Sequence, residues 1–357
     1  MSGLAEAEQE TAKLIVDEDG TIHVPAFRLP LSSALSPEAR QMQIASLRSS
    51  IQLPSFFDVA DEAGFAARVD EARRSFDEKV LAPLAKALLS AFPVKIAQGA
   101  LGGVPVETFT PPERKSDRRV LINLHGGGFC MGAIHGGRVE AIPVAALGGV
   151  EVVSVDYRQG YQHRYPAATE DVVAVYRALL ETRSPKEIGI YGGSAGGRLT
   201  AQAVAWIIDK GLPVPAAAGV FGSGGGGSGD GAYFGKIGVA EPAPPIDLPD
   251  EILPAQFRSS EFGYFAGVPA NDPLATPLNA PASLLAQFPP TLLLTATRAF
   301  DLSPAILLHR ALIRAGADAE LHVFDGFGHC FYYNAFLPEG RDAYDTIIRF
   351  FDRHMAG

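Results

Sequence analysis

Cysteine is scarce: Cys130 and Cys330 are the two in 357 residues. That excludes a disulfide scaffold, which needs several pairs, and both are expected as reduced, partly buried thiols close to the motifs they follow. No Cys and His spacing suits a metal cluster. Cations are in the minority too, with 30 Lys and Arg against 40 Asp and Glu and a formal net charge of −10. Nucleic acids and anionic membranes call for clustered Lys and Arg, so neither is expected as a partner. No apolar run approaches the roughly 20 residues of a membrane helix. The start, "MSGLAEAEQE", lacks the basic and apolar regions of a secretory signal. The expectation is a cytoplasmic protein. The sequence does not set the oligomeric state, and a homo-oligomer is compatible with it.

The 357 residues, 47% of them apolar, suit one large α/β domain with an elaboration or two modest domains. Residues 1–115 read mainly as helices contributing to a cap, together with the first strands. "DEAGFAARVDEARRSFDEKVLAPLAKALL" places Phe65, Val69, Phe76, Val80, Leu81, Leu84 and Leu88 at helical spacing, with Pro83 expected to kink or divide the helix. From Val120 the grammar changes. "RRVLINLH", "VEVVSVDY", "EIGIYGG", "AAAGVFG", "TLLLTAT" and "ELHVFDG" are strand-like, and most are separated by helical segments. This alternation implies a mostly parallel sheet covered on both faces. Residues 116–221 and 286–357 form the two parts of that core. The Gly- and Pro-rich stretch 222–285 interrupts it and is read as a cap insertion, since a structureless loop of that length is improbable.

"EIGIYGGSAGGRLTAQAVAW" reads as strand, sharp turn and helix, with Gly192-Gly193-Ser194-Ala195-Gly196 fitting G-x-S-x-G. A serine there projects above the sheet, and its neighbours two residues away must be small. "INLHGGGFCMG" ends another strand and carries His125-Gly126-Gly127-Gly128. The amides of Gly127, Gly128 and Ala195 are the expected oxyanion donors. His125 is expected to be structural. His329, in "LHVFDGFGHCF", follows the last strand and is the candidate base. His309, His322 and His354 read as structural or surface residues, while His135 and His163 are candidates for pocket lining. Phe129 and Tyr332 are further candidates for the substrate pocket. Phe331, Tyr332 and Tyr333 either line an acyl pocket or pack the last helix.

"HGGGF", "VDYR", "YPAATEDVVAVYRAL", "GGSAGG", "NDPLATP" and "FDGFGHCF" together resemble the bacterial hormone-sensitive-lipase-like esterases of the α/β-hydrolase superfamily. The resemblance runs from about Val120 to Met355. It implies an α/β-hydrolase fold, a helical cap, no cofactor, and hydrolysis of short- to medium-chain carboxylic esters. Lactone and acetyl-ester hydrolases are alternatives within the same group.

The sequence departs from that pattern twice. Gly193 stands where similar sequences carry Asp or Thr, and a local effect is expected. The triad acid expected after Thr297-Arg298 is replaced by Ala299, and the acid comes at Asp301. The expectation is that Asp301 reaches His329 from this shifted position. The alternative is an acid displaced from the site, leaving Ser194 and His329 as a weakened dyad or a non-catalytic binder. Asp325 lies in the wrong loop and is expected to tether the turn. Asp156, in "VDYR", is expected to pair with Arg158. "GSGGGG" at 222–227 imitates a dinucleotide fingerprint without the following helix, and is read as a flexible exit into the cap.

Overall fold

The computed structural model describes residues 15–23, 28–48, 62–133, 135–226 and 263–356. A two-residue-per-strand hairpin, β1 (Ile15–Val16) with β2 (Ile22–His23), stands apart from the main sheet. Helices α1 (Pro37–Arg48), α2 (Glu62–Phe76) and α3 (Ala82–Ala91) follow. Between α2 and α3 the backbone widens into a π-helical turn at Asp77–Leu81, and Pro83 occupies the first turn of α3. The backbone stays helical on both sides of this turn, so the proline coincides with a local widening and not a break.

The main sheet contains β3 (Lys95–Leu101), β4 (Val104–Thr110), β5 (Val120–Leu124), β6 (Glu151–Val155), β7 (Ile188–Gly193), β8 (Ala217–Phe221), β9 (Thr291–Ala296) and β10 (Ala319–Phe324). Their spatial order is 10-9-8-7-5-6-4-3. Strands β3 and β4 pair antiparallel, β4 joins β6 antiparallel, and all other pairings are parallel. The crossovers are α4 (His135–Gly148), α5 (Ala167–Leu180), α6 (Ala195–Asp209) and, between β9 and β10, α8 (Leu302–Ala315). A short α7 (Ala282–Leu285) precedes β9, and α9 (Pro338–His354) closes the chain.

Strands β5, β7, β8 and β9 are buried along their whole length, which is why they read as continuous apolar runs rather than alternating ones. Leu121, Val152, Tyr191, Phe221 and Leu292 point to one core with α3, α4 and α9. Val120, Ile122, Val153, Ile188 and Ile190 point to the opposite core with α5 and α6. Strand β3 is exposed at most positions, so its pattern carries little apolar signal.

Most of the expected cap, residues 227–262, lies outside the described residues. Its flanks are described. Residues 222–226 are not a loose exit: a Cβ on Gly224 would sit 2.0 Å from Pro304 carbonyl atoms. On the return, Arg198 of α6 lies 3.8 Å over the Phe265 ring and its Nη2 donates to the Ala275 carbonyl at 3.1 Å. Among the described residues, no helix is long and apolar enough to cross a membrane.

Candidate active site

Ligands in open parallel sheets collect beyond the carboxyl ends of the strands, and this edge gathers the candidate residues. Ser194 directly follows β7, with φ +57 and ψ −121, a backbone region costly for a non-glycine residue. Its N–H donates to the Phe221 carbonyl at 2.8 Å, and its carbonyl accepts from Arg198. The small neighbours are required. A Cβ on Gly196 would lie 1.7 Å from the Leu124 carbonyl oxygen, and one on Gly192 2.2 Å from it.

Strand β5 is hydrogen-bonded to β7, so the loop after β5 lies beside the serine. A Cβ on Gly126 would come within 3.1 Å of Ser194 Cβ. Gly127 and Gly128 adopt φ +122 and +61, which glycine tolerates without strain. The Gly126 N–H is already spent on Glu140 at 2.8 Å. Gly127 and Gly128 are half-buried beside the half-buried Ser194. Ala195 opens α6, and its N–H belongs to the first turn, where the helix supplies no acceptor.

His329 comes from the loop after β10 and Asp301 from the start of α8. His329 Nε2 lies 2.8 Å from Ser194 Oγ, and His329 Nδ1 lies 2.6 Å from Asp301 Oδ1. Asp301 is 2% exposed, and its Oδ2 accepts from Thr295 Oγ1 at 2.5 Å. Ala299 itself faces away from solvent. It is 1% exposed and packs in an apolar cluster with Leu35, Ala39, Phe327 and Leu337. That apolar setting suits a methyl group. Two residues on, the turn at the start of α8 brings Asp301 to the imidazole.

Burial works against a charged His329, while Cys330 and Asp301 favour it, and the balance raises its pKa well above 6.5. Burial also pushes the Cys330 thiol up, so at neutral pH that sulfur is uncharged and Asp301 is the operative cause. Cys330 Sγ lies 3.5 Å from His329 Nε2. Neither Cys130 nor Cys330 is in a disulfide, and Cys130 is buried.

Several expectations are corrected. Phe129 is fully buried, with its ring stacked on Tyr264 at 4.6 Å and edge-on to Phe265; it belongs to the core beneath the loop. Tyr332 is 2% exposed and packs edge-on against Phe221 and Tyr344. Among the described residues, the Phe300 ring reaches the imidazole, 4.4 Å from His329 between centroids. Its position beside Asp301 was the available signal. Asp156 is exposed, and Arg158 pairs instead with Asp171, Nε to Oδ1 at 2.9 Å, and with Glu170. His135 binds Asp77 at 2.9 Å, and His163 is exposed.

Other residues stand where their types suggested. His125 is fully buried and stacked on Tyr157, with Nδ1 2.7 Å from the Gly126 carbonyl. Burial lowers its pKa to about 4, which suits a neutral loop support. Asp325 accepts from Thr297 Oγ1 at 3.0 Å and from the Ser32 hydroxyl, tethering its turn. The absence of a side chain at Gly193 has a local cause: a Cβ would lie 2.3 Å from the Tyr332 hydroxyl and 3.2 Å from Glu140 Oε1.

Comparison with known proteins follows the same line. The family model for the alpha/beta hydrolase fold matches residues 121–333. An acetyl-hydrolase from Streptomyces hygroscopicus is 30% identical over 238 residues, covering 66% of this chain and 76% of that protein. The crystal structure of an esterase E25 superposes with a TM-score of 0.77 at 26% identity, covering 94% of this chain and 99% of that one. An esterase of the bacterial hormone-sensitive lipase family gives 0.70 at 26% identity, covering 90% and 100%. The chain belongs to the α/β-hydrolase fold family and, within it, to the bacterial hormone-sensitive-lipase-like esterases. That membership makes it a carboxylic-ester hydrolase.

Proposed function

We propose that this esterase works through Ser194 as nucleophile, His329 as base and Asp301 as the acid that orients it, on small esters with short acyl groups. The observation that carries the reading is the unbroken chain Ser194 Oγ–His329 Nε2 at 2.8 Å and His329 Nδ1–Asp301 Oδ1 at 2.6 Å. With Nδ1–H donating to Asp301, Nε2 is left to accept the serine proton.

Ser194 Oγ attacks the ester carbonyl as His329 takes its proton. The oxyanion that forms is met by the N–H groups of Gly127, Gly128 and Ala195, each such donor contributing about 3 kcal/mol. His329 then protonates the leaving alcohol, and the acyl group remains on Ser194. Water, deprotonated by the same imidazole, releases the acid and restores the serine. None of these steps calls for a metal or cofactor.

The short-acyl preference is supported by the relatives named acetyl-hydrolase and ethyl acetate hydrolase. Turnover of p-nitrophenyl acetate, p-nitrophenyl butyrate and a lactone panel tests it. Faster hydrolysis of lactones than of either ester would replace this reading. A fluorophosphonate should label Ser194 and no other residue; an unlabelled Ser194 in folded protein would remove the nucleophile assignment.

A further inference from the structure

One carboxylate touches all three loops that build the site without contacting its reacting groups. Glu140 lies on α4 and is 2% exposed. Its Oε1 accepts from the Gly126 N–H at 2.8 Å and the Tyr333 hydroxyl at 2.6 Å. Its Oε2 accepts from the Gly193 N–H at 3.0 Å and Asn123 Nδ2 at 3.1 Å. Gly126 directly precedes the oxyanion glycines, Gly193 directly precedes Ser194, and Tyr333 ends the short helical turn that follows His329.

We propose that Glu140 is a positioning residue whose carboxylate clamps the oxyanion loop, the nucleophile turn and the base loop into one arrangement. The proposal rests on the assignment of Ser194 as nucleophile. An ionised carboxylate offers about four acceptor sites and no donor, and here four donors meet it. A glutamine would fill the same volume but would present an NH2 group to one pair of them. The Tyr333 hydroxyl can rotate and Asn123 can turn over. The backbone N–H groups of Gly126 and Gly193 cannot, so one loop would lose its hold whichever way the amide faced.

Protonation should loosen the same clamp. Burial pushes the Glu140 carboxyl up to about 7, against the four hydrogen bonds that pull it down. The titratable groups around it are the phenols of Tyr157, Tyr191, Tyr332, Tyr333 and Tyr344 and the Cys330 thiol, all pushed up by burial. These stay neutral near pH 7, and His125 titrates near 4. Within this cluster, Glu140 and His329 are left to shape the acid limb of activity.

The test compares wild type, Glu140→Gln and Tyr333→Phe between pH 5 and 9. It measures kcat and KM on p-nitrophenyl acetate, fluorophosphonate labelling rate and thermal melting. Glu140→Gln should lower kcat about ten- to a hundredfold, the scale of an ångström's misplacement, with little change in KM. Labelling should slow in parallel, and the acid limb should lose one ionisation. Tyr333→Phe, which removes one donor and leaves the carboxylate, should lower kcat roughly two- to tenfold. Folded Glu140→Gln with wild-type kcat and labelling rate overturns the clamp, as does a loss confined to KM. Should Glu140→Gln not fold, Tyr333→Phe decides: a wild-type kcat overturns the proposal and a reduced kcat at unchanged KM supports it. Failure of the wild type to label at Ser194 overturns the nucleophile assignment and the clamp with it. Normal wild-type labelling matched by the Glu140 variant overturns the clamp alone.

Discussion

Asp301 and Glu140 are both 2% exposed, yet their surroundings differ in kind. Asp301 faces an imidazole at 2.6 Å and one hydroxyl. Glu140 faces two backbone N–H groups, an amide and a phenol, with no cation among its hydrogen-bond partners. The first acts on the imidazole beside it, favouring the charged form of His329. The second receives the cost of its own burial, and its carboxyl rises to about 7. A buried carboxylate is therefore defined by what surrounds it: beside an imidazole it tunes chemistry, and among neutral donors it holds backbone in place.

The sharpest way to break this comparison begins with the nucleophile. Ser194→Ala should reduce kcat about a millionfold, as removing a triad serine does elsewhere, leaving only background turnover of p-nitrophenyl acetate. Asp301→Asn should lower kcat about ten-thousandfold. It should also move the acid limb of kcat/KM to lower pH, because the anion that raises the His329 pKa is gone. A loss below tenfold with an unmoved limb would remove Asp301 from the triad.

The next effect is on stability. A carboxyl raised in the folded state from 4.5 to about 7 favours folding while protonated. Its contribution is complete below about 4.5 and is lost as pH climbs through 7. Raising the pH from 4 to 8 should therefore destabilise wild type by about 3 kcal/mol relative to Glu140→Gln. Denaturant titrations of both proteins across that range measure the slope, and parallel profiles would contradict it. The smallest effect belongs to Thr295, whose hydroxyl supports Asp301. Thr295→Val should cost roughly 1 kcal/mol in kcat/KM, read as a several-fold drop in p-nitrophenyl acetate turnover.

The contrast also marks what the sequence made legible. Ser194, His329 and the glycines of the β5 loop announce themselves because their spacing is dictated by backbone crowding, as at Gly192 and Gly196. The strands β5, β7, β8 and β9 were readable because burial on both faces demands unbroken apolar runs. Strand β3 was obscure because its side chains are mostly exposed. Glu140 carries no motif. Its signal was an acid inside the apolar run "VEAIPVAAL", together with a glycine where a larger residue was expected before the serine. Neither clue gains meaning until α4 is seen passing behind both loops. Phe129 misled because the residue after a glycine loop can point to either side of it, and here it joins Tyr264 and Phe265.

The tight packing of residues 222–226 bears on redesign of this enzyme. A methyl group on Gly222 would come within 2.8 Å of Cys330 Sγ and 3.1 Å of the His329 ring, and one on Gly226 within 2.7 Å of Thr276. A chimera that exchanges residues 227–262 should therefore be joined beyond Gly226. A junction placed four residues earlier would press new side chains into the base itself, and specificity would change only at the expense of turnover.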